Sequence, residues 1–513
     1  MKVNVNVKLL VIISVCTFFS YSQILYMVYS CSVQKFRMSD GESPWKRPKL
    51  THGDGPYRNP KAGPSKVQVQ PEPQPELQPQ PQSKIFKLDI DCFDEIFEYL
   101  SLKDLHSFGQ TCKTMQKVSG EYFKRYYSAA ETHIKNGGID TVYSDYKRSI
   151  NRRTSTTAFS QFITNITHRS YALQPLRYIR RHFGEFDSIR RVCFKNLDFD
   201  EEKGEELQRI WPNVETVHLI GCSICEDLHE IFLRHCKNNL KRLCVQSAKW
   251  PAFDPYVRVP WFHREYPMLE HLELIPIPPM VELNLLFQKN RNVKSFSTSG
   301  FDFWRNKNEF MQLNVQLDLL QIKASYVSVK EMSSVLWELY ERGFFKRLHH
   351  CTNTVDEESS IELNLMPALE KLCIERFTVT FDLARLIKLR ELVILDGANA
   401  TDMDILANNL INLQRVYIGK ATIEDILPFI RRSPELTKLK VIPRNEAHFN
   451  RGVLKLVTFN KEREKLVGAR KVTIYVPDNI FLKTKWTTKH GDTNLKFVEM
   501  QRSGSYEWNQ ICY

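Results

Sequence analysis

One short pattern recurs through more than half of the 513 residues and limits what this chain can fold into. An apolar residue is followed by two variable positions, a second apolar residue, one variable position and a third apolar residue. Clear copies are Val214-Val217-Leu219, Leu240-Leu243-Val245, Leu269-Leu272-Leu274, Val293-Phe296-Thr298 and Leu317-Leu320-Ile322. The pattern returns as Leu369-Leu372-Ile374, Leu389-Leu392-Ile394, Leu413-Val416-Ile418 and Leu436-Leu439-Val441, with weaker copies from Ile189, Phe345 and Ala469. Successive starts lie 20 to 33 residues apart. Each copy reads as a short strand that cannot bury its inward face alone. The copies must therefore stack into a solenoid with a parallel sheet on one side. The segments between them supply the outer layer: Leu228, Ile231 and Phe232, and likewise Ile423, Ile426 and Leu427, share one face of a helix.

The array resembles the longer, helix-bearing leucine-rich repeats, with Cys222 at the position where that family carries Asn or Cys. The implied fold class is α/β, a small helical module followed by a solenoid with strands concave and helices convex. Side chains alternate along a strand, so with Val217 and Leu219 inward, Thr216, His218 and Ile220 face the concave side. The same count selects His218, Arg242, His271, Glu273, Lys371, Glu375, Arg415, Tyr417, Lys438 and Lys440 as candidate contacts for a target protein. That surface turns basic and aromatic towards its far end and suits an acidic or phosphorylated peptide.

Ahead of the array, residues 88 to 113 read LDIDCFDEIFEYLSLKDLHSFGQTCK. Phe93, Ile96, Phe97 and Leu100 lie at i, i+3, i+4 and i+7, one face of a helix. Ser101 is a suitable N-cap for a second helix carrying Leu105 and Phe108. Gly109 can end that helix, and Thr111 can cap a third with Met115 and Val118. The order resembles the F-box: Leu88 at the start, Glu95-Ile96-Phe97 in the middle, then Tyr99-Leu100, Asp104-Leu105 and Cys112-Lys113. Asp89 stands where that family has Pro, and Met115 where it has Trp. The resemblance implies docking to the Skp subunit, and through it to cullin, of a ubiquitin ligase. It implies that Leu88, Ile96, Phe97, Leu100, Leu105 and Phe108 make the contact, with Asp104 and Lys113 at its rim.

The organisation expected is an apolar leader over 1–37, a Pro/Gln-rich linker over 38–84, an F-box over 85–127, a basic helical connector over 128–188, repeats over 189–476 and a cap over 477–513. Leu9 to Cys31 is apolar and long enough to span a bilayer. A ligase-docking module works in the cytosol or nucleus. Either the segment anchors the chain with its remainder cytosolic, or translation starts naturally at Met38. The second reading is favoured because Ser20, Ser22 and Gln23 interrupt the apolar run. A membrane is a partner only if residues 9–31 are retained. Linker residues such as PEPQPELQPQPQ lack the apolar content to offset ordering.

The chain carries 72 basic and 59 acidic residues, a net of +13, and from Lys124 to Lys195 there are 14 of the former against 5 of the latter. That window could draw nucleic acid, but no nucleic-acid fold signature accompanies it, and a solvated face is the preferred reading. The 12 cysteines show no disulfide framework. The single CxxC, Cys222 and Cys225, has no second pair to complete a zinc site, and His349-His350 has no companion at metal spacing. Neither a metal nor a cofactor is expected. No HExxH, GxSxG, Walker or dinucleotide motif occurs, so the expectation is a non-catalytic adaptor. A protein-interaction scaffold outside any ligase is the alternative.

Overall fold

The computed structural model describes residues 88–505, apart from 129, 136–137, 144–151, 170–187, 198–210, 223–232, 247–262, 279–280, 326–328, 356–360, 362, 378–385, 397–399, 444–451 and 489–490. The apolar leader, the linker, Cys225 and the helix expected at Leu228 to Phe232 lie outside these residues. The chain forms two units divided between Cys92 and Phe93. Within the first, the Cys92 amide donates to the Asp89 carboxylate at 2.8 Å, an N-terminal cap in the position where a proline was expected.

Three helices come first: α1 (Ile90–Phe97), α2 (Leu102–Gly109) and α3 (Lys113–Tyr127). Ser101 caps α2 as its residue type predicts, accepting from the Asp104 amide at 3.2 Å. Thr111 does not cap α3. Its hydroxyl turns back to donate to the Phe108 carbonyl at 2.8 Å and closes α2 instead.

A 17-stranded sheet follows. Its early strands are β1 (Glu131–Lys135), β2 (Gly138–Tyr143), β3 (Arg152–Ser155), β4 (Asn165–Arg169), β5 (Arg191–Lys195), β6 (Thr216–Ile220), β7 (Arg242–Gln246), β8 (His271–Ile275) and β9 (Ser295–Ser299). The later ones are β10 (Leu317–Ser325), β11 (Phe345–Val355), β12 (Leu369–Phe377), β13 (Glu391–Asp396), β14 (Arg415–Ala421), β15 (Lys438–Pro443), β16 (Val472–Val476) and β17 (Val498–Arg502). The pairing β1 to β4, and then each strand to the next as far as β17, is parallel. Among the described residues the antiparallel pairings are those of β2, with β1 on one side and β3 on the other. Helices α4 (Leu283–Lys289), α5 (Val329–Glu341), α6 (Ala400–Asn409), α7 (Ile423–Arg432), α8 (Leu456–Glu464) and α9 (Asp478–Thr487) lie between strands. The segment expected to be a helical connector, 128–188, holds β1 to β4 and one short helical turn, Thr157–Phe162, where it is described. Short stretches rich in β-branched residues, such as Asn165-Ile166-Thr167, favour extended backbone.

The stack is built on columns of apolar side chains. One column runs Ile166, Val192, Val217, Leu243, Leu272, Phe296, Leu320 and Leu348 across β4 to β11, all buried. A register shift in β11 moves the next column to His350, which continues as Leu372, Leu392, Val416, Leu439, Ile474 and Met500. Asparagines tie adjacent turns together. The side-chain amides of Asn239, Asn292 and Asn412 donate to the carbonyls of Pro212, Pro267 and Ile387, one repeat earlier. This Asn precedes the first apolar residue of the pattern rather than following the third, so a search after the third position finds only Cys222. The Cys222 thiol is buried and donates to the Phe194 carbonyl at 3.3 Å, a packed thiol. After β6, Gly221 takes φ +63°, where a Cβ would meet the Asn196 side chain.

At the strand entrances charge alternates. Arg190, Glu215, Lys241, Glu270, Lys294 and Asp318 follow one another through backbone bonds between neighbouring strands, and the Lys346 ammonium reaches the Asp318 carboxylate on the next strand. Lys241 pairs with Glu215 at 2.9 Å, Lys294 with Glu270 at 2.8 Å and Lys346 with Asp318 at 2.7 Å.

Arg463 of α8 shows how polar groups are met inside the array. Fully buried, it donates to the carbonyls of Arg470, Ile430, Ser433, Pro434 and Leu436 at 2.7 to 3.2 Å. Burial lowers its pKa to about 10, so it stays charged at neutral pH. Arg463→Met should strand these carbonyls and destabilise the chain by about 3 kcal/mol. Urea unfolding followed by circular dichroism measures it, and an unchanged midpoint would contradict this account.

Candidate functional site

The three helices form a small aromatic core. Phe93 stacks on Phe97 at 5.7 Å between centroids, and Phe97 meets Phe108 and Tyr122 edge-on, each at 5.3 Å. Phe97, Leu105 and Phe108, three of the expected docking residues, are therefore interior, as is Met115. Leu88, Ile96, Leu100 and Asp104 are part-exposed and Lys113 is exposed. Asp104 is already engaged with the Ser101 hydroxyl at 2.6 Å. Ile90, absent from the expected set, is 65% exposed, which leaves an apolar side chain to a partner. Arg125 on α3 grips Asp94 on α1 at 2.6 Å, which fixes the crossing of the two helices.

Both ends of the strand ladder touch this module. On the amino-terminal side, the single turn Thr157–Phe162 packs against α2 and α3. Phe159 stacks on Phe123 at 5.0 Å, the Ala158 amide donates to His106 Nε2 at 3.1 Å, and Gln116 donates to the Ala158 carbonyl at 2.7 Å. Burial lowers the His106 pKa, consistent with a neutral ring accepting that bond. Phe162 lies where a Cβ on Gly120 would stand, so only glycine fits there. On the carboxyl-terminal side, Arg502 ends β17 and is 2% exposed. It donates to the carbonyls of Glu98 and Leu100 at 2.9 and 3.0 Å and to the Tyr127 hydroxyl at 2.8 Å, and it pairs with Asp478. Lys485 pairs with Glu98.

Residues 85–125 match the family model described as the F-box domain. This module is an F-box. No curated protein matches the chain's sequence. Among solved structures the chain is similar to an LRR protein of Leptospira interrogans, at 13% identity over 56% of this chain and 86% of that one, with a TM-score of 0.21. The F-box domain is followed by a solenoid of parallel strands, which the strand ladder and its buried columns define.

Behind the F-box, the side chains expected on the concave side fall into rows of cross-strand neighbours. Cys193, His218, Cys244, Glu273, Ser297, Gln321 and His349 are cross-strand neighbours, and Lys371, Glu391, Arg415 and Lys438 continue the row. The row is linked by hydrogen bonds. Lys323 pairs with Glu273 at 2.7 Å, Ser297 donates to Gln321 at 2.7 Å, and Gln321 meets His349 at 3.3 Å. Lys371 pairs with Glu391 at 2.6 Å, and Arg415 reaches the same carboxylate at 3.4 Å. Burial pushes the Glu273 carboxyl up, and Lys323 with Gln246 more than reverses this, holding it below its usual range.

Of the ten candidate contacts, Glu273, Lys371, Tyr417 and Lys440 are buried, with Lys440 Nζ 5.6 Å from the Tyr417 ring centroid. His218, Arg242, His271, Glu375 and Lys438 are part-exposed, and Arg415 is exposed. The expected basic, aromatic end is thus more enclosed than alternation alone suggests. Cys351, Cys373, Val393, Leu395, Tyr417 and Ile442 form an apolar cluster there. No group of His, Cys, Asp or Glu among the described residues has the geometry to hold a metal ion, and no described helix is long and apolar enough to cross a membrane.

Four histidines sit in these rows and columns with pKa values lowered mainly by burial, to about 3 for His218 and His349 and about 4 for His168 and His350. Each lies below the usual value near 6.5, so below that pH the unfolded chain takes up protons that the folded chain does not. Stability is therefore full above pH ~6.5 and is lost progressively as pH falls towards the folded values. Neither ring nitrogen of His350 has a partner, and the ring fills an aliphatic column. His350→Leu should shrink the fall in melting temperature between pH 7 and pH 4.5. An equal fall in variant and wild type would refute this assignment.

Proposed function

We propose that the chain is a substrate-recognition adaptor of a Skp-cullin-F-box ubiquitin ligase. The F-box docks to the Skp subunit and through it to cullin, and the concave face of the solenoid holds a target protein for ubiquitination and degradation. The observation that carries this reading is an F-box domain whose helices are bonded to both ends of a repeat array. Such an adaptor works by position. It holds a target's lysines at high effective concentration near a ubiquitin donor, and the bond-making groups belong to the other subunits. A complex of this kind operates in the cytosol or nucleus.

The division of the apolar residues supports the reading. Phe97, Leu105 and Phe108 stabilise the module itself, while Ile96 and Leu100 retain accessible apolar surface on α1 and the turn after it. Target contact is assigned to the accessible part of the concave row, His218, Arg242, His271, Glu375, Arg415 and Lys438. Basic groups predominate there, which suits an acidic or phosphorylated segment.

Immobilised Skp subunit should retain the purified full chain. Ile96→Asp and Leu100→Asp should each lower retention at least tenfold with the circular dichroism spectrum preserved, since a charge would be left against an apolar partner. Failure of the wild-type chain to bind would end the adaptor reading and favour a scaffold outside the ligase.

A further inference from the structure

The turn that joins α1 to α2 is held by the last part of the solenoid from several directions. Arg502 hydrogen bonds the carbonyls of Glu98 and Leu100, and Lys485 pairs with the Glu98 carboxylate while standing 4.9 Å from the Tyr99 ring centroid. The Tyr99 hydroxyl lies against Gly491, where φ is +64° and a Cβ would collide with it. Trp486 of α9 completes the set, its ring meeting that of Tyr99 edge to face at 5.2 Å. Yet Trp486 is 52% exposed. An aromatic ring anchored along one edge and open on the rest presents large apolar area with little conformational entropy left to lose.

We propose that the surface receiving the Skp subunit continues from the F-box onto the solenoid's last helix, with Trp486 as a contact residue. This rests on the adaptor reading above. The occupant follows from continuity. Ile96 lies one helical turn before Tyr99, and Tyr99 touches Trp486, so a subunit that covers Ile96 and Leu100 reaches the tryptophan without a gap. A second copy of this chain is a poorer fit. A stable dimer needs about 800 Å² per partner, whereas the outer neighbours of Trp486 on α9, Lys483 and Thr487, are polar and exposed. The F-box then needs the solenoid for full affinity as well as for cargo.

Hydroxyl-radical footprinting of the full chain, with and without purified Skp subunit, tests the contact directly. Oxidation of Trp486 should fall severalfold on complex formation. Titration calorimetry should show Trp486→Ala weakening binding at least fivefold and Trp486→Phe recovering most of it, while Val467→Ala, a change at a fully exposed site, has no effect. Unchanged Trp486 oxidation in a formed complex overturns the proposal and leaves the adaptor reading standing. Protection that depends on chain concentration without Skp subunit also overturns it, in favour of self-association. Absence of any wild-type binding removes both.

Discussion

A parallel strand of about five residues satisfies neither its backbone edges nor its apolar face unless another strand lies on each side of it. Every repeat here inherits that requirement and passes it on. The buried columns that run from Ile166 to Met500, handed on at the register shift in β11, are what meeting it thirteen times in succession looks like. The requirement fails only at the two ends, where there is no further strand. At the first end the sheet turns back on itself through antiparallel β2 and β3. At the last, β17 meets helices. Ile374, Ile394, Ile418 and Val441 share one cross-strand row, and Val476 pairs with Arg502, where the aliphatic series gives way to a guanidinium aimed at the F-box.

Apolar columns alone leave register weakly specified, since one aliphatic residue replaces another at small cost. The alternating charges at the strand entrances supply what the columns lack. Pairs such as Lys294 with Glu270 and Lys346 with Asp318 are well exposed, so each contributes little to stability by itself. Their value is comparative. Moving a strand to the wrong neighbour would bring like charges together along the edge. Buried histidines have the opposite character. His168 and His350 fill places that aliphatic residues fill elsewhere, and their cost appears only when protons are abundant.

The repeat strands were legible because three apolar positions at fixed spacing survive every change in the residues between them. The F-box was legible for the same reason at helical spacing, through Phe93, Ile96, Phe97 and Leu100. Less legible was what each of those residues does. A module of about 40 residues has little interior, so it keeps its largest aromatics for itself, and Phe97 and Phe108 went inward where a docking role was expected. The strands of 128–188 escaped because charge dominates that window and its short β-branched runs carry no repeat. Alternation along the strands identifies which side chains share a cross-strand row, but it carries no information on enclosure. Tyr417 and Lys440, expected at the surface, are buried. Arg502 could not be found from sequence at all, because its partners Glu98 and Leu100 lie some 400 residues earlier.

That long-range contact bears on why the F-box is attached at two places. A buried guanidinium pays a desolvation penalty that hydrogen bonds and an ion pair do little more than offset, and an aliphatic side chain would usually serve stability as well. The neighbouring strands use aliphatics at this row, so stability does not account for the arginine. A guanidinium does something that valine cannot. Its planar donors fix directions, and here they fix two carbonyls of one turn and the hydroxyl of α3's last residue. With His106 and Phe123 held on the other side, the F-box has no single point about which to swing. On the adaptor reading, directional bonding at the junction controls the quantity that matters, because an error of angle there grows with the length of the solenoid.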